Sequence, residues 1–301
     1  MDGSSGRSTY SSPATAAAPL TFSFWDADFL DAFSQFSLHQ RLLLLVGAIA
    51  FIATNVTFFR LASVLGREKP GEKSPRPKPS SKHPTHLLVV LGSGGHTAEM
   101  LNILQQTPFL PIQFTYRTYV VSSGDGLSAQ KAADFEIELI DQLKTEGIQG
   151  AHEGYDIVTV HRARRVHQGI LTAPFSTVQC LWDCVKVLRG THPDLKSHHG
   201  LYPDLILTNG PGTGVCVVLA ATLLIFLGLS GPPASSSDAE DQPYPGSGQM
   251  RTIFIESWAR VKTLSLSGKI LKPFVDRFLV QWPPLVQSEG SRVEYIGPLV
   301  T

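Results

Sequence analysis

Neither sign of charge is in surplus in this sequence: 25 Lys and Arg balance 25 Asp and Glu across 301 residues. A neutral chain offers no whole-molecule attraction for nucleic acid, so any basic site has to be local. Cysteine is scarce as well, limited to Cys180, Cys184 and Cys216. Cys180 and Cys184 share a helix face by spacing, but no further Cys or His completes a zinc set, and buried reduced thiols are expected. No Gly-Lys-Ser/Thr follows a glycine at Walker spacing, which excludes a P-loop. Beyond residue 84 there is no Asp-x-Asp, so the sequence demands no metal.

A long apolar run is present. Between Arg41 and Arg60 lies "LLLLVGAIAFIATNVTFF" (42–59), uncharged and long enough at the lower limit for a transmembrane helix. It begins too far from the N-terminus for a cleaved signal peptide. After it come Arg60, Arg67, Lys69, Lys73, Arg76, Lys78 and Lys82, whereas the preceding side has Arg7 and Arg41 against Asp26, Asp28 and Asp31. The positive-inside rule then places 1–41 in the lumen, largely disordered, and the rest in the cytosol. The Pro-rich basic stretch within 60–84 reads as a linker that can also lean on anionic headgroups. Asn55-Val56-Thr57 has the form of a glycosylation sequon, but inside a bilayer it is silent.

Over 85–301 short apolar runs alternate with helical patterns. Strands are expected at 86–91, 117–122, 156–160, 204–208, 252–255, 277–281 and 293–296. Helices are expected at 96–106, 127–133, 170–189, 214–227 and 261–275. This alternation implies an α/β fold, a Rossmann-like parallel sheet covered on both faces, with ligands at the carboxyl ends of the strands. "VCVVLAATLLIFLGL" (215–229) is too short to span a bilayer and reads as a buried sheet-packing helix. Residues 230–250 are a polar Pro/Gly/Ser-rich insertion. In and just before 261–275, Trp258, Val261, Leu264, Leu271 and Phe274 fall roughly on one stripe with Lys262, Lys269 and Lys272 elsewhere. Core packing accounts for it, with a cationic helix resting on the membrane as the alternative.

Two glycine clusters follow strands. "GSGGHT" runs through Gly92, Ser93, Gly94, Gly95, His96 and Thr97, and "NGPGT" through Asn209, Gly210, Pro211, Gly212 and Thr213. Glycine permits close backbone approach and a helix start offers unpaired N–H groups, so diphosphate suits both. Thr97 stands where a dinucleotide fingerprint needs its third glycine, and the second strand ends without an acid before Asp125. An NAD-dependent oxidoreductase is therefore disfavoured. His96, at a helix mouth, has its charged form disfavoured and is a candidate base or neutral donor. Arg162 and Arg164, in "HRARRVH", have forks suited to phosphate oxygens, and Glu256 sits at a strand end.

"LVVLGSGGHTAEML", "YVVSSGDGLSAQK", "RARRVHQG", "LILTNGPGTGV", "IFIESWARVKTLSLSGKIL" and "FLVQWPPL" occur in this order. They resemble the membrane-anchoring subunits of the two-part UDP-N-acetylglucosamine transferase of the dolichol pathway. The resemblance covers about 85–301 and the single anchor. It implies the N-terminal half of a GT-B glycosyltransferase similar to MurG, inactive without a separate catalytic subunit that binds UDP-GlcNAc. That heterodimer would add the second GlcNAc to GlcNAc-diphosphodolichol on the cytosolic face of the endoplasmic reticulum, or of the nuclear envelope, with no metal or other cofactor. The family's two glycine loops fall on Gly92 to Thr97 and Asn209 to Thr213, and its strand-end glutamate on Glu256. The chain departs from the family pattern at Arg165, where an acidic residue is usual, and by the insertion at 230–250. A scaffold that only recruits a catalytic partner is the competing reading.

Overall fold

A computed structural model describes residues 36–66, 85–107, 113–147, 154–164, 168–169, 172–196, 202–210, 212–230 and 248–299. The expected lumenal stretch up to residue 35, most of the linker, the core of the insertion, Pro211 and Arg165 lie outside the described residues. The chain divides into two compact units, Met1–Thr57 and Phe58–Thr301.

Seven strands, β1 (His86–Val90), β2 (Tyr116–Ser122), β3 (Gly154–Val160), β4 (Leu205–Thr208), β5 (Arg251–Ile255), β6 (Arg277–Val280) and β7 (Glu294–Tyr295), form one sheet in the order β3-β2-β1-β4-β5-β6-β7. Every pairing is parallel. The chain winds outward from β1 through β2 to β3, then returns to β4 on the other side of β1 and winds the opposite way. The β1/β4 boundary is thus the topological switch point, where the loops diverge and leave a crevice at the carboxyl ends. Both glycine clusters start there.

Successive residues of a strand point to opposite faces, and the packing follows that period. Leu88, Val90, Val120, Val158, Val160 and Ile206 pack on one face with α4 (Ala173–Leu188) and α5 (Thr213–Phe226). Leu87, Val89, Leu91, Tyr119, Val121 and Leu207 pack on the other with α2 (Gly95–Gln105) and α3 (Gly126–Thr145). Burial on both faces explains why β1 reads as an unbroken apolar run after His86. α5 is a buried core helix, with Val217, Val218, Ala220 and Ala221 all inaccessible or nearly so. Cys180, Cys184 and Cys216 are buried free thiols in the same layer. Hydrogen bonding to Cys184 and Cys180, respectively, together with burial, pushes the Cys180 and Cys216 thiols up, so both are unreactive.

α1 (Leu38–Leu65) extends past the expected apolar segment at both ends. Its mean hydropathy is 2.3 over the most apolar window, none of which is buried, so it is long and apolar enough to span a membrane. Thr54 Oγ1 and Asn55 Nδ2 return hydrogen bonds to Ala50 O and Phe51 O, which satisfies one donor of each polar side chain within the helix. Within the second unit, Arg60 at the far end of α1 donates to the carbonyls of Ile225 and Phe226 at 2.9 and 3.0 Å. That arginine thereby caps the C-terminus of α5, where unpaired carbonyls concentrate negative potential.

Two expected helices need correction, and one helix has no expected counterpart. The helix expected at 127–133 runs through Gly126–Thr145, because Glu136 on its continuation is a core residue. Both atoms of the ion pair between Arg117 and Glu136 are fully buried, with Nε–Oε1 2.6 Å, Nη2–Oε2 2.8 Å and Tyr119 Oη donating to Oε1 at 2.7 Å. The helix expected at 261–275 is only α6, Leu266–Leu271. Ser265 caps it by accepting from Gly268 N at 2.9 Å, so the residues before it run as bends. Leu264 and Leu271 are core residues, whereas Trp258 and Val261 are exposed. The single helix expected to carry a membrane-resting stripe is therefore not formed, although Leu266 and Ile270 of α6 are exposed as well. α7 (Pro283–Glu289), for which no helix was expected, begins at two prolines that occupy the first helical turn, where their missing N–H costs nothing.

Candidate functional site

β1 ends at Val90 and α2 begins at Gly95. The N-cap is Gly94, at φ 66° with no side-chain cap. A β-carbon is strained at that angle, and the first N–H groups of α2 are left without a capping partner. Thr97 is buried and spends its hydroxyl on Gly92 O and on Ser128 Oγ, the latter at 2.7 Å. Its side chain therefore shapes the loop, and only its main chain is available to a ligand.

The second cluster repeats the arrangement after β4. Gly212 caps α5 at φ 61°, again with no side-chain partner. Gly92 and Gly210 meet so closely that a β-carbon on Gly210 would come within 3.1 Å of Gly92 Cα. The two glycine loops thus form one floor, and any side chain there would separate them. Asn209 is 2 % exposed and its Nδ2 donates to His96 O at 2.9 Å, tying one loop to the other. Its Oδ1 is buried with no hydrogen-bond partner. Thr213 is buried and bonds Ser122 Oγ at 2.6 Å, which anchors this loop to the end of β2.

His96 Nδ1 is the second buried orphan beside the floor. Glu99 Oε2 stands 3.9 Å away, too far for a hydrogen bond. Desolvation by burial holds the imidazole below its ordinary pKa, Glu99 acts in the opposite sense, and Arg260 adds to the lowering. The ring is consequently neutral near pH 7, able to accept a proton at one nitrogen.

The basic loop after β3 packs against the second glycine loop, since a β-carbon on Gly212 would touch Ala163 Cβ at 3.5 Å. Arg162 N donates to Ser123 Oγ at 3.1 Å, while its guanidinium makes no hydrogen bond among the described residues. Arg164 is exposed, its Nη2 reaching Gln168 O at 3.5 Å. His161 Nδ1 and Asp183 Oδ2, 2.5 Å apart, secure the start of the loop to α4, a contact the sequence does not announce.

Glu256 lies apart from this floor in role. It is 1 % exposed, and Oε2 accepts from Ser265 N and Oγ at 3.0 and 3.1 Å. Burial raises its pKa against the opposing pull of Ser265, Ser257 and Arg260. It organises the 257–265 bends. Glu99 is the residue that pattern reading missed: buried in the second turn of α2, it is reached by Trp258 N and Gln281 Nε2, both at 2.7 Å. Its only sequence signal was its place three residues after His96.

The floor therefore combines two uncapped helix starts, a neutral histidine, an orphan amide oxygen and flanking arginines, a setting for a phosphorylated ligand that also carries a hydrogen-bond donor. No solved structure matches this chain. A family model described as "Oligosaccharide biosynthesis protein Alg14 like" matches residues 87–299. A protein of Aspergillus fumigatus called UDP-N-acetylglucosamine transferase subunit alg14 is 47 % identical over 227 residues, 67 % of this chain and 100 % of that protein. The like-named protein of Schizosaccharomyces pombe is 40 % identical over 75 % of this chain and 87 % of its own length. The like-named human protein is 33 % identical over 71 % and 82 %. With both glycine loops and all seven strands but the first residue of β1 inside the matched region, the chain belongs to the Alg14 family of oligosaccharide-biosynthesis proteins.

Proposed function

We propose that this chain is the acceptor-side, membrane-anchoring subunit of a UDP-N-acetylglucosamine transferase, adding the second GlcNAc to GlcNAc-diphosphodolichol during N-glycan precursor synthesis. The relatives' names support a subunit role. α1 supports an anchor, and the charge asymmetry around it supports a lumenal N-terminus with the domain in the cytosol, at the endoplasmic reticulum membrane or the nuclear envelope. The observation that carries the acceptor role is the fused floor of Gly92 and Gly210 between two uncapped helix starts, beside His96.

In this reading the N-termini of α2 and α5 neutralise the lipid diphosphate, so no metal is needed, and Arg162 and Arg164 close the open side. The orphan Oδ1 of Asn209 accepts from the acceptor sugar. UDP-GlcNAc binds on the catalytic subunit, which supplies the second half of a GT-B enzyme. The sugar 4-hydroxyl attacks the anomeric carbon, UDP departs with the bonding electron pair, and the hydroxyl proton passes to neutral His96.

The test is acceptor kinetics on the full-length chain reconstituted with its catalytic subunit. Gly94→Val and His96→Ala should each cut transfer on the order of 100-fold, the scale of misplacing reacting groups by about an ångström. Co-purification with the partner and affinity for UDP-GlcNAc should stay unchanged. Near-normal rates in both variants would leave only the scaffold role. For topology, protease added to sealed microsomes should digest a C-terminal tag, and a protected tag reverses the orientation.

A further inference from the structure

Glu99 has one oxygen fully committed and one held in reserve. Oε1 accepts from Trp258 N–H and Gln281 Nε2, both at 2.7 Å. Gln281 is itself fixed, donating to Glu256 O at 3.1 Å and accepting from Leu299 N at 3.0 Å. The carboxylate cannot turn without breaking two bonds to two other loops. Oε2 is therefore kept 3.5 Å from Asn209 Nδ2 and 3.9 Å from the orphan Nδ1 of His96. A ring adjustment of under about 1 Å brings Nδ1 into hydrogen-bond range. Nε2 makes no hydrogen bond among the described residues.

We propose that Glu99 is the positioning residue of His96, directing the Nδ1–H tautomer toward its own Oε2 and leaving Nε2 as the proton acceptor. The inference rests on the acceptor-site reading above. As the acceptor O–H breaks, the new glycosidic C–O bond forms, the C–O bond to UDP breaks with its electron pair leaving on UDP, and the proton arrives on Nε2. The ring then carries a positive charge, and the fixed carboxylate opposite Nδ1 stabilises it. This is the division of labour between a base and the acid that orients it. Two charged groups face the imidazole: Glu99 from its own helix, which favours protonation, and Arg260 from the loop after β5, which opposes it.

Glu99→Gln separates this role from scaffolding. The amide oxygen can still accept from Trp258 N–H and Gln281, so the loops stay joined, but the negative charge is gone. The measurement is kcat and KM for a polyprenyl-diphosphate GlcNAc acceptor between about pH 5 and pH 9, with the full-length chain and its catalytic subunit in proteoliposomes. The expected result is a fall in kcat on the order of 10- to 100-fold, less than the roughly 10²–10⁴ a general base supplies, with KM little changed. The acid limb of the profile should move to lower pH, because removing the carboxylate lowers the His96 pKa further. The double variant His96→Ala/Glu99→Gln should be no slower than His96→Ala. Should Glu99→Gln fail to accumulate, Glu99→Asp withdraws the charge by one methylene and should shift the limb in the same direction. A normal kcat, or a reduced kcat with an unmoved acid limb, overturns the positioning role while leaving the acceptor site intact. Near-normal transfer by His96→Ala overturns both.

Discussion

The two ends of the sheet are built by opposite rules. At the amino ends of the strands, carboxylates take the N–H groups that the ladder leaves over: Asp204 Oδ2 accepts from His86 N at 2.8 Å, and Asp276 Oδ2 from Thr252 N at 2.7 Å. Arg117 and Glu136 close on each other in the same layer, and Arg60 caps α5. Among the described residues there, the Thr115 hydroxyl is the buried orphan. At the carboxyl ends, two uncapped helices start at left-handed glycines, and His96 Nδ1 and Asn209 Oδ1 are buried without partners. A fold that satisfies one edge and leaves the other wanting has its stability at the first and, under the proposed function, its chemistry at the second.

That contrast breaks most visibly at Glu136. Glu136→Ala strands a buried guanidinium and should destabilise the fold by roughly 3–5 kcal/mol, read as a lowered denaturation midpoint of the purified protein. If the loss is under about 1 kcal/mol, the amino-end layer is not the stabilising one.

A matched pair across the sheet sharpens the division. Asp276→Ala removes the acceptor of Thr252 N and of its hydroxyl proton, although the hydroxyl still accepts from the backbone N of residue 276, and should cost about 1–3 kcal/mol of stability with the activity of the remaining folded protein unchanged. Asn209→Ala gives up one hydrogen bond to His96 O, about 0.5–1.5 kcal/mol, but should raise the acceptor KM. The comparison fails if the two variants trade effects.

Arg60→Ala probes a partly exposed cap and should cost less than about 1 kcal/mol, with membrane attachment retained if the apolar stretch 42–59 of α1, which the substitution leaves intact, is the anchor. Sodium carbonate extraction of membranes checks the second half of that statement.

The smallest effect is one of pH. Burial lowers the pKa of His96 and of His192 in the folded protein, so the unfolded chain binds protons more readily. Stability should be steady above about pH 7, fall as the pH drops through the ordinary histidine value near 6.5, and level off below the folded pKa values. Because the raised pKa values of Asp204 and Glu256 act in the opposite sense, the check is a comparison with His96→Ala: the variant should lose less stability on acidification, and an equal loss contradicts the neutral state assigned to His96.

Much of this architecture was legible before any fold. "HLLVV" had to be a strand buried on both faces, and a glycine cluster after it had to be a turn into a helix. The same grammar at "LILTNG" placed a second turn. These are local matters of period, chirality and the missing β-carbon. The extent of α3, the shortness of α6 and the start of α7 were not legible, since Glu136 looks like a surface residue until Arg117 is seen beside it, and Pro283 looks like a breaker until it is seen in a first turn.

By itself, the sequence determined the parallel sheet, the apolar α1, the buried α5 and the two glycine turns, because each follows from residues within one or two turns of chain. Only the tertiary structure decided that Gly92 would touch Gly210, that Asn209 would brace His96, and that Trp258 and Gln281 would pin Glu99. Those partners are brought together by the winding of the sheet about β1, and pairs formed across such long separations leave no periodic trace in either segment.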